Sequence, residues 1–159
     1  MPKQSAGILM YRHSDHGLEV LLVHPGGPFW AKKDLGAWSI PKGEYSDTED
    51  PLTVAMREFE EETGVRPRGG FRPLGALVQP SRKVVTAWAL EGDFDVGTLK
   101  SNTFELAWPP KSGRKATFPE VDRAKWFSPD EAGRKILPGQ KEFLSRLMTI
   151  ADEDRNCVP

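Results

Sequence analysis

Three glutamates are the residues of this sequence best suited to chemistry. Glu58 is followed three and four positions later by Glu61 and Glu62. An α-helix advances about 100° per residue, so it would gather all three within a sector of about 100°. Like charges at these spacings oppose folding by a few tenths of a kcal/mol per pair. A bound cation would relieve that repulsion, and hard cations such as Mg²⁺ or Mn²⁺ take carboxylate oxygens.

The element that must position these acids is a helix over Pro51–Thr63. Its apolar residues recur at offsets of three and four, which is typical of one buried helix face; they are Leu52, Ala55, Met56 and Phe59. Asp50 suits the N-cap, Pro51 suits the first turn and Gly64 suits the C-terminal stop. The predicted buried face is separate from the acidic one.

Two further charged residues lie near the acids. Arg57 precedes Glu61 by four positions, and this spacing predicts an ion pair that holds the Glu61 carboxylate. Glu49, ahead of the helix, is placed for a similar supporting role. An isolated Glu-Glu pair would be explained more simply as a solvated helix face, but the spacing of the surrounding residues favours a site.

That spacing resembles the complete Nudix box. Nine positions carry the resemblance: Gly43, Glu49, Arg57, Glu58, Phe59, Glu61, Glu62, Gly64 and Val65. The resemblance implies an α+β fold, an α/β/α sandwich with a mixed β-sheet between helices, over most of the chain. Thr48 departs from the glycine that many members have there, which bears on the loop shape more than on activity.

The resemblance also implies roles for individual residues. Glutamates matching Glu58, Glu61 and Glu62 bind divalent metal in the family, and a backbone carbonyl near Lys42 or Gly43 often joins them. The arginine matching Arg57 orients a glutamate. The general base varies among members, so Glu58 and Glu61 are the first candidates here. Glu120 is third, because similar RNA 5′-pyrophosphohydrolases and diadenosine tetraphosphate hydrolases place a glutamate six residues before a tryptophan, here Trp126; an exposed loop acid is the alternative.

The implied reaction is metal-dependent hydrolysis of a diphosphate linkage in a nucleoside diphosphate derivative, by attack of water at phosphorus. A dinucleoside polyphosphate or a nucleoside triphosphate is the leading substrate. Alternatives are removal of pyrophosphate from an RNA 5′ end and hydrolysis of an inositol pyrophosphate. A non-catalytic nucleotide sensor is the alternative of another class, and it predicts damaged box acids, whereas every one is present.

Three residues outside the acidic helix are candidates for substrate binding. Lys42 precedes the box glycine in a segment similar to that of diadenosine polyphosphate hydrolases, and it is placed to contact phosphate. Trp30, among glycine and polar neighbours, is the candidate for stacking on a base. Lys83 belongs to a set of basic loop residues that would form a cationic rim, although solvated surface is the more common explanation for each of them. The others are Lys32, Lys33, Arg82, Lys111, Arg114 and Lys115.

The remaining pattern predicts strands alternating with helices. Predicted strands are residues 5–11, 18–24, 37–40, 71–79, 84–90, 103–108 and 124–127. In the fifth, the small residues Val85, Ala87 and Ala89 share a face that would admit a packed helix. Ser128 begins a capping box, and a last helix is predicted over residues 139–150. We expect a single domain over residues 1–151, with the box at 43–65, and a flexible tail over 152–159.

Composition limits the classes of function. A chain of 159 residues suits one domain. A net charge of -1 disfavours broad contact with duplex nucleic acid, so a small-molecule nucleotide is the expected partner, with the oligomeric state left open. A single cysteine, Cys157, allows no internal disulfide. Neither a signal peptide nor a membrane span is expected, which favours a cytoplasmic location.

Overall fold

The computed structural model of the protein describes residues 3–156. Eight strands, three α-helices and two short 3-10 turns follow one another along the chain. In chain order the strands and helices are β1 Gln4–Ser14, β2 Gly17–Pro25, β3 Lys42–Tyr45, α1 Pro51–Thr63, β4 Arg72–Val78, β5 Val84–Glu91, β6 Thr103–Ala107, β7 Lys115–Pro119, β8 Val121–Phe127, α2 Pro129–Lys135 and α3 Glu142–Asn156.

A six-stranded mixed sheet forms the centre of the molecule. Its main path runs β4-β5-β1-β2-β8, and β3 also pairs with β1. Strand β1 is parallel to β5 and antiparallel to β2 and β3. The first residues of β1 pair with β3, and its last residues pair with β2. Strand β3, in which the box begins at Gly43, therefore lies beside the N-terminal end of β1.

Helices cover both faces of the sheet, as expected for an α/β/α sandwich. On one face, the small residues of β5, namely Val85, Ala87 and Ala89, form a cluster with Phe143 and Leu147 of α3. On the other face, Val54, Ala55 and Phe59 of α1 form a cluster with Ile8 and Leu90. The predicted small-residue face of β5 therefore does receive a helix, and α1 is fixed against the sheet by its apolar side.

Helix α1 begins and ends where the sequence predicts. The Asp50 carboxylate accepts from the Thr53 amide at 3.0 Å, and Gly64 caps the C-terminus with φ 85. The buried face, however, is turned from the predicted one: Val54 and Thr63 are buried, whereas Leu52 and Met56 are only half-buried. At about 100° per residue, this turn brings Glu62 between Val54 and Ala55 on the buried side. The predicted separation of the acidic and buried faces is therefore wrong.

The strand predicted over residues 37–40 is absent. Trp38 makes a single bridge to Ile136 and Ser39 a single bridge to Val23 on the other side. Each bridge joins a single pair of residues, so residues 37–40 form no continuous β-ladder. Strand pairing begins only after Pro41, at β3. Gln140 fills the gap, since its side-chain oxygen accepts from the Ile40 amide at 3.1 Å.

Two further elements differ from the prediction. Strand β7, which the sequence does not predict, begins at Lys115, one of the basic residues assigned to a loop, and pairs with β6 as a separate two-stranded hairpin. Helix α3 begins at Glu142 and continues to Asn156, so the predicted tail is helical at residues 152–156, and residues 157–159 lie outside the described residues. Within residues 3–156, no helix is long and apolar enough to cross a membrane.

Replacing the cap of α1 tests how far local signals stabilise the helix that carries the acids. Asp50→Ala removes the acceptor for the Thr53 amide and should lower the free energy of unfolding by about 1 kcal/mol, measured by urea denaturation. Asp50→Asn retains a capping oxygen and should lose clearly less. Equal losses in the two variants would show that this hydrogen bond contributes little.

Candidate active site

The acidic end of α1 is pressed against β3. The amide of Lys42 donates to Oε2 of Glu62 at 3.2 Å. A Cβ placed on Gly43 would lie 2.0 Å from Cδ of Glu58, so any larger residue would collide with that carboxyl group. The glycine that opens the box is therefore required by the close approach of backbone and carboxylate.

A backbone bridge brings Glu120 to the same place. The Asn102 amide donates to the Glu61 carbonyl at 2.8 Å, and the Glu120 amide donates to the Asn102 carbonyl at 2.8 Å. The Glu120 carbonyl accepts in turn from the Gly26 amide at 2.9 Å. Glu120 is exposed, yet its pKa is raised, first by partial desolvation and then by the negative charge of Glu61. The structure thus places Glu120 beside the box acids, 58 to 62 positions later in the sequence.

Desolvation and neighbouring negative charge raise the pKa values of Glu58 and Glu62. Desolvation and then the charge of Glu58 raise the pKa of Glu62 to about 8. Desolvation and then the charge of Glu61 raise the pKa of Glu58. Lys42 offsets part of this charge, but burial lowers the pKa of its own ammonium group. The cluster therefore holds more negative charge than its protein neighbours neutralise.

Arg57 contacts Glu49 and Glu58, not Glu61 as its spacing predicts. Its guanidinium lies 3.3 Å from Oε2 of Glu49 and 3.7 Å from Oε1 of Glu58. Glu49 is itself fixed, because its carboxylate accepts from the Ser46 amide at 3.0 Å. That amide and then Arg57 lower the pKa of Glu49. Arg57 therefore links Glu58 to the loop before α1.

The donor set fits a hard divalent cation. Glu58, Glu61, Glu62 and Glu120 offer carboxylate oxygens, and the backbone of Gly43 lies against Glu58. Among the described residues, no group of three or more His, Cys, Asp or Glu side chains has the arrangement of a metal site. Mg²⁺ normally keeps several waters and takes only one or two carboxylates together with substrate oxygens, so an incomplete set of acidic ligands in a cleft suits this ion.

A cleft of about 240 Å³ lies next to the acids. Trp30, Lys42, Glu62 and Glu120 contribute to its polar and aromatic lining, and Val23, Ile40 and Leu137 are among its apolar residues. Lys83 is not among the lining residues; its ammonium lies 3.9 Å from Glu44, and its charge contributes to the lowered pKa of Lys42. The structure therefore brings together all the predicted site residues except Lys83, which lies near the edge.

Two positioning residues were not found from the sequence. Asn102 bridges α1 to Glu120 through its backbone, and Gln140 supports the segment that leads into β3 through its side chain. A backbone bridge has no side-chain signature, so nothing in the sequence marks Asn102. Gln140 is completely buried, and a polar residue ahead of a helix gives no sign of this.

The NUDIX domain model matches residues 1–147. The matched region includes the sheet, the acidic helix and Glu120. The chain therefore belongs to the Nudix hydrolase family, as the box predicts.

Individual relatives have related names but differ in extent. A CMP-5'-(N-acetyl-N-hydroxy-3-aminopropyl)phosphonate hydrolase of Streptomyces rubellomurinus is 39% identical over 112 residues, covering 67% of this chain and 45% of that relative. An RNA pyrophosphohydrolase of Erythrobacter litoralis is 31% identical over 117 residues, covering 69% and 70%. The chain thus spans less than half the length of the first relative. A C. elegans Ap4A hydrolase binary complex shares the fold, with a TM-score of 0.64, 22% identity and coverage of 94% and 98%.

The raised pKa of Glu62 predicts a pH-dependent stability difference. Because the folded-state pKa of about 8 lies above the usual value, ionisation of Glu62 opposes folding; the penalty is absent at acid pH, grows above the usual pKa and is complete above pH 8. Glu62→Gln keeps an oxygen for the Lys42 amide and removes the charge. In urea titrations with chelator, the free energy of unfolding of the variant should exceed that of the parent by about 2 to 4 kcal/mol at pH 9. At pH 5 the difference should be much smaller. A difference that does not change with pH would contradict the assignment.

Proposed function

We propose that the protein is a metal-dependent hydrolase of diphosphate linkages in nucleoside diphosphate derivatives, with a dinucleoside polyphosphate or a nucleoside triphosphate as substrate. The observation that carries the proposal is the gathering of Glu58, Glu61, Glu62 and Glu120 beside one cleft with too little positive charge to neutralise them. The names of two relatives support a reaction at phosphorus. One is a hydrolase of a CMP-5'-phosphonate compound, and the other is an RNA pyrophosphohydrolase.

In this proposal Glu58, Glu61 and Glu62 hold Mg²⁺ or Mn²⁺ together with the backbone at Gly43. When bound, the cation would neutralise phosphate oxygens and lower the pKa of water. Arg57 keeps Glu58 in position through its contacts with Glu58 and Glu49. The proton of the attacking water passes to Glu58 or Glu61, with Glu120 as the third candidate, and no covalent intermediate with the protein is required.

The cleft supplies contacts for the rest of the substrate. Lys42 lines it beside Glu62 and is proposed to contact a phosphate. Trp30 also lines it and is proposed to stack on the base, a contact worth about 1 to 3 kcal/mol in single-strand binders. Lys83, which the sequence predicts as part of a cationic rim, is proposed to add positive potential near Lys42. We propose a cytoplasmic setting because the single cysteine offers no internal disulfide.

A second candidate, hydrolysis at an RNA 5′ end, is favoured by a seam between residues 26–30 and the β6-β7 hairpin. Gly27 lies against Phe104, and the ring of Phe29 meets that of Trp108 at 5.6 Å. Phe29 remains 63% exposed. Exposed basic residues occur close in sequence to both segments, and aromatic and basic side chains together suit a single strand. They are Lys32, Lys33, Lys111, Arg114 and Lys115.

Glu61→Gln tests the hydrolase assignment. With Mg²⁺ or Mn²⁺, the parent should cleave at least one member of a panel containing dinucleoside polyphosphates, nucleoside triphosphates, inositol pyrophosphates and triphosphorylated RNA. Glu61→Gln should lower kcat by about 10² to 10⁴-fold, as resolved by chromatography of the products. Glu60→Gln is the matched control, since Glu60 is the exposed neighbour on the same helix, and it should retain activity.

The same panel separates the candidates. Faster cleavage of RNA than of ATP, with Arg114→Glu slowing RNA alone, would establish the second candidate. Equal sensitivity of both substrates, or no cleavage of RNA, would favour the first. Binding of nucleotide without turnover of any compound would contradict both and favour a sensor.

A further inference from the structure

A completely buried histidine lies behind the cleft and is bonded at both ring nitrogens. His24 has no exposed surface. Its Nδ1 lies 2.8 Å from Oδ1 of Asp122, and its Nε2 lies 2.6 Å from the carbonyl oxygen of Lys33. A carboxylate oxygen and a carbonyl oxygen are both acceptors, so each ring nitrogen faces an acceptor within hydrogen-bond distance.

The two partners of His24 belong to two different walls of the cleft. Asp122 follows Glu120 and Val121, which line the cleft. Lys33 closes the turn that carries Trp30, because the Lys33 amide donates to the Trp30 carbonyl at 3.0 Å. The Lys33 ammonium also lies 4.9 Å from the centre of the Trp30 ring. His24 therefore connects the segment of Glu120 to the segment of Trp30.

Other contacts hold residues 26–29 and 34–38, including that of the Phe29 ring with the Trp108 ring, and the His24 contact lies between them, at Lys33. At the start, the Gly26 amide donates to the Glu120 carbonyl at 2.9 Å. At the far end, Nε1 of Trp38 donates to Asp34 at 2.8 Å, and Asp34 also pairs with Lys135. Residues 31–35 are exposed, so they have little packing of their own.

We propose that His24 is a positioning residue that sets affinity for the nucleobase by holding Trp30 in place relative to Glu120. The proposal rests on the function proposed above, in which Trp30 stacks on the base. Through Trp30, His24 therefore affects binding of the aromatic base. It does not affect binding of the phosphates, which is proposed to occur at the acids and Lys42. A histidine that served only general stability would weaken binding of every ligand alike.

Three variants test this proposal: His24→Gln, Trp30→Ala and the double variant. Hydrogen exchange of residues 26–36, measured without metal or ligand, should accelerate in His24→Gln. With Mn²⁺, that variant should weaken binding of a non-hydrolysable ATP analogue by about 5 to 100-fold, the range expected for loss of one stacking contact. Affinity for inorganic tripolyphosphate should stay within twofold. In the Trp30→Ala background, His24→Gln should add little, because the contact it supports is already gone.

Two controls keep the test decisive. His16→Gln, at an exposed histidine, should change none of these quantities. If His24→Gln does not fold, Asp122→Asn replaces it: this variant weakens the contact at Nδ1 of His24 and keeps the contact with Lys33, so the same changes should appear in smaller degree.

Several outcomes would overturn the proposal. Unchanged exchange in residues 26–36, equal weakening for the nucleotide and for tripolyphosphate, or fully additive effects with Trp30→Ala would each do so. If the parent protein binds neither ligand, the proposed function fails and the role in base affinity fails with it. The exchange measurement still decides separately whether His24 holds the loop.

Discussion

The placement of carboxylates where water is partly excluded is the constraint on which the site depends. Glu62 lies on the buried side of α1, and its pKa is raised to about 8. Glu58 is next to it, with its side chain 16% exposed. Like charges in a poorly solvated position oppose folding, so the rest of the fold must hold α1 against β3. The apolar cluster that Val54, Ala55 and Phe59 of α1 form with the sheet supplies that hold.

Several local features follow from this close approach of α1 and β3. Gly43 is required because a side chain there would collide with Glu58. The Lys42 amide is directed at Glu62, and Arg57 ties Glu58 to the loop before the helix. The backbone of Asn102 then joins α1 to Glu120. The acids are thus fixed by rigid elements. Trp30, which also lines the cleft, lies on a loop that separate hydrogen bonds hold at Gly26, Lys33 and Asp34.

The sequence predicted what depends on neighbours along the chain and missed what depends on distant contacts. The bounds and caps of α1 are encoded by Asp50, Pro51 and Gly64, so they were predicted correctly. The partner of Arg57 was wrong, because the i,i+4 rule ignores the anchored Glu49 in the preceding loop. The turned buried face of α1, the bridge at Asn102 and the β6-β7 hairpin arise from packing between segments far apart in sequence, which periodicity does not report.

The site depends on binding of a divalent cation by the acidic cluster. Thermal unfolding in the presence of Mn²⁺ is the most direct test of this binding. A cation that binds only the folded protein raises Tm, and the rise grows with the logarithm of the ratio of its concentration to its Kd. Millimolar Mn²⁺ should raise the Tm of the parent by several degrees. It should raise the Tm of a Glu58→Gln, Glu61→Gln double variant far less. An unchanged Tm in the parent, or an equal rise in both proteins, would contradict it.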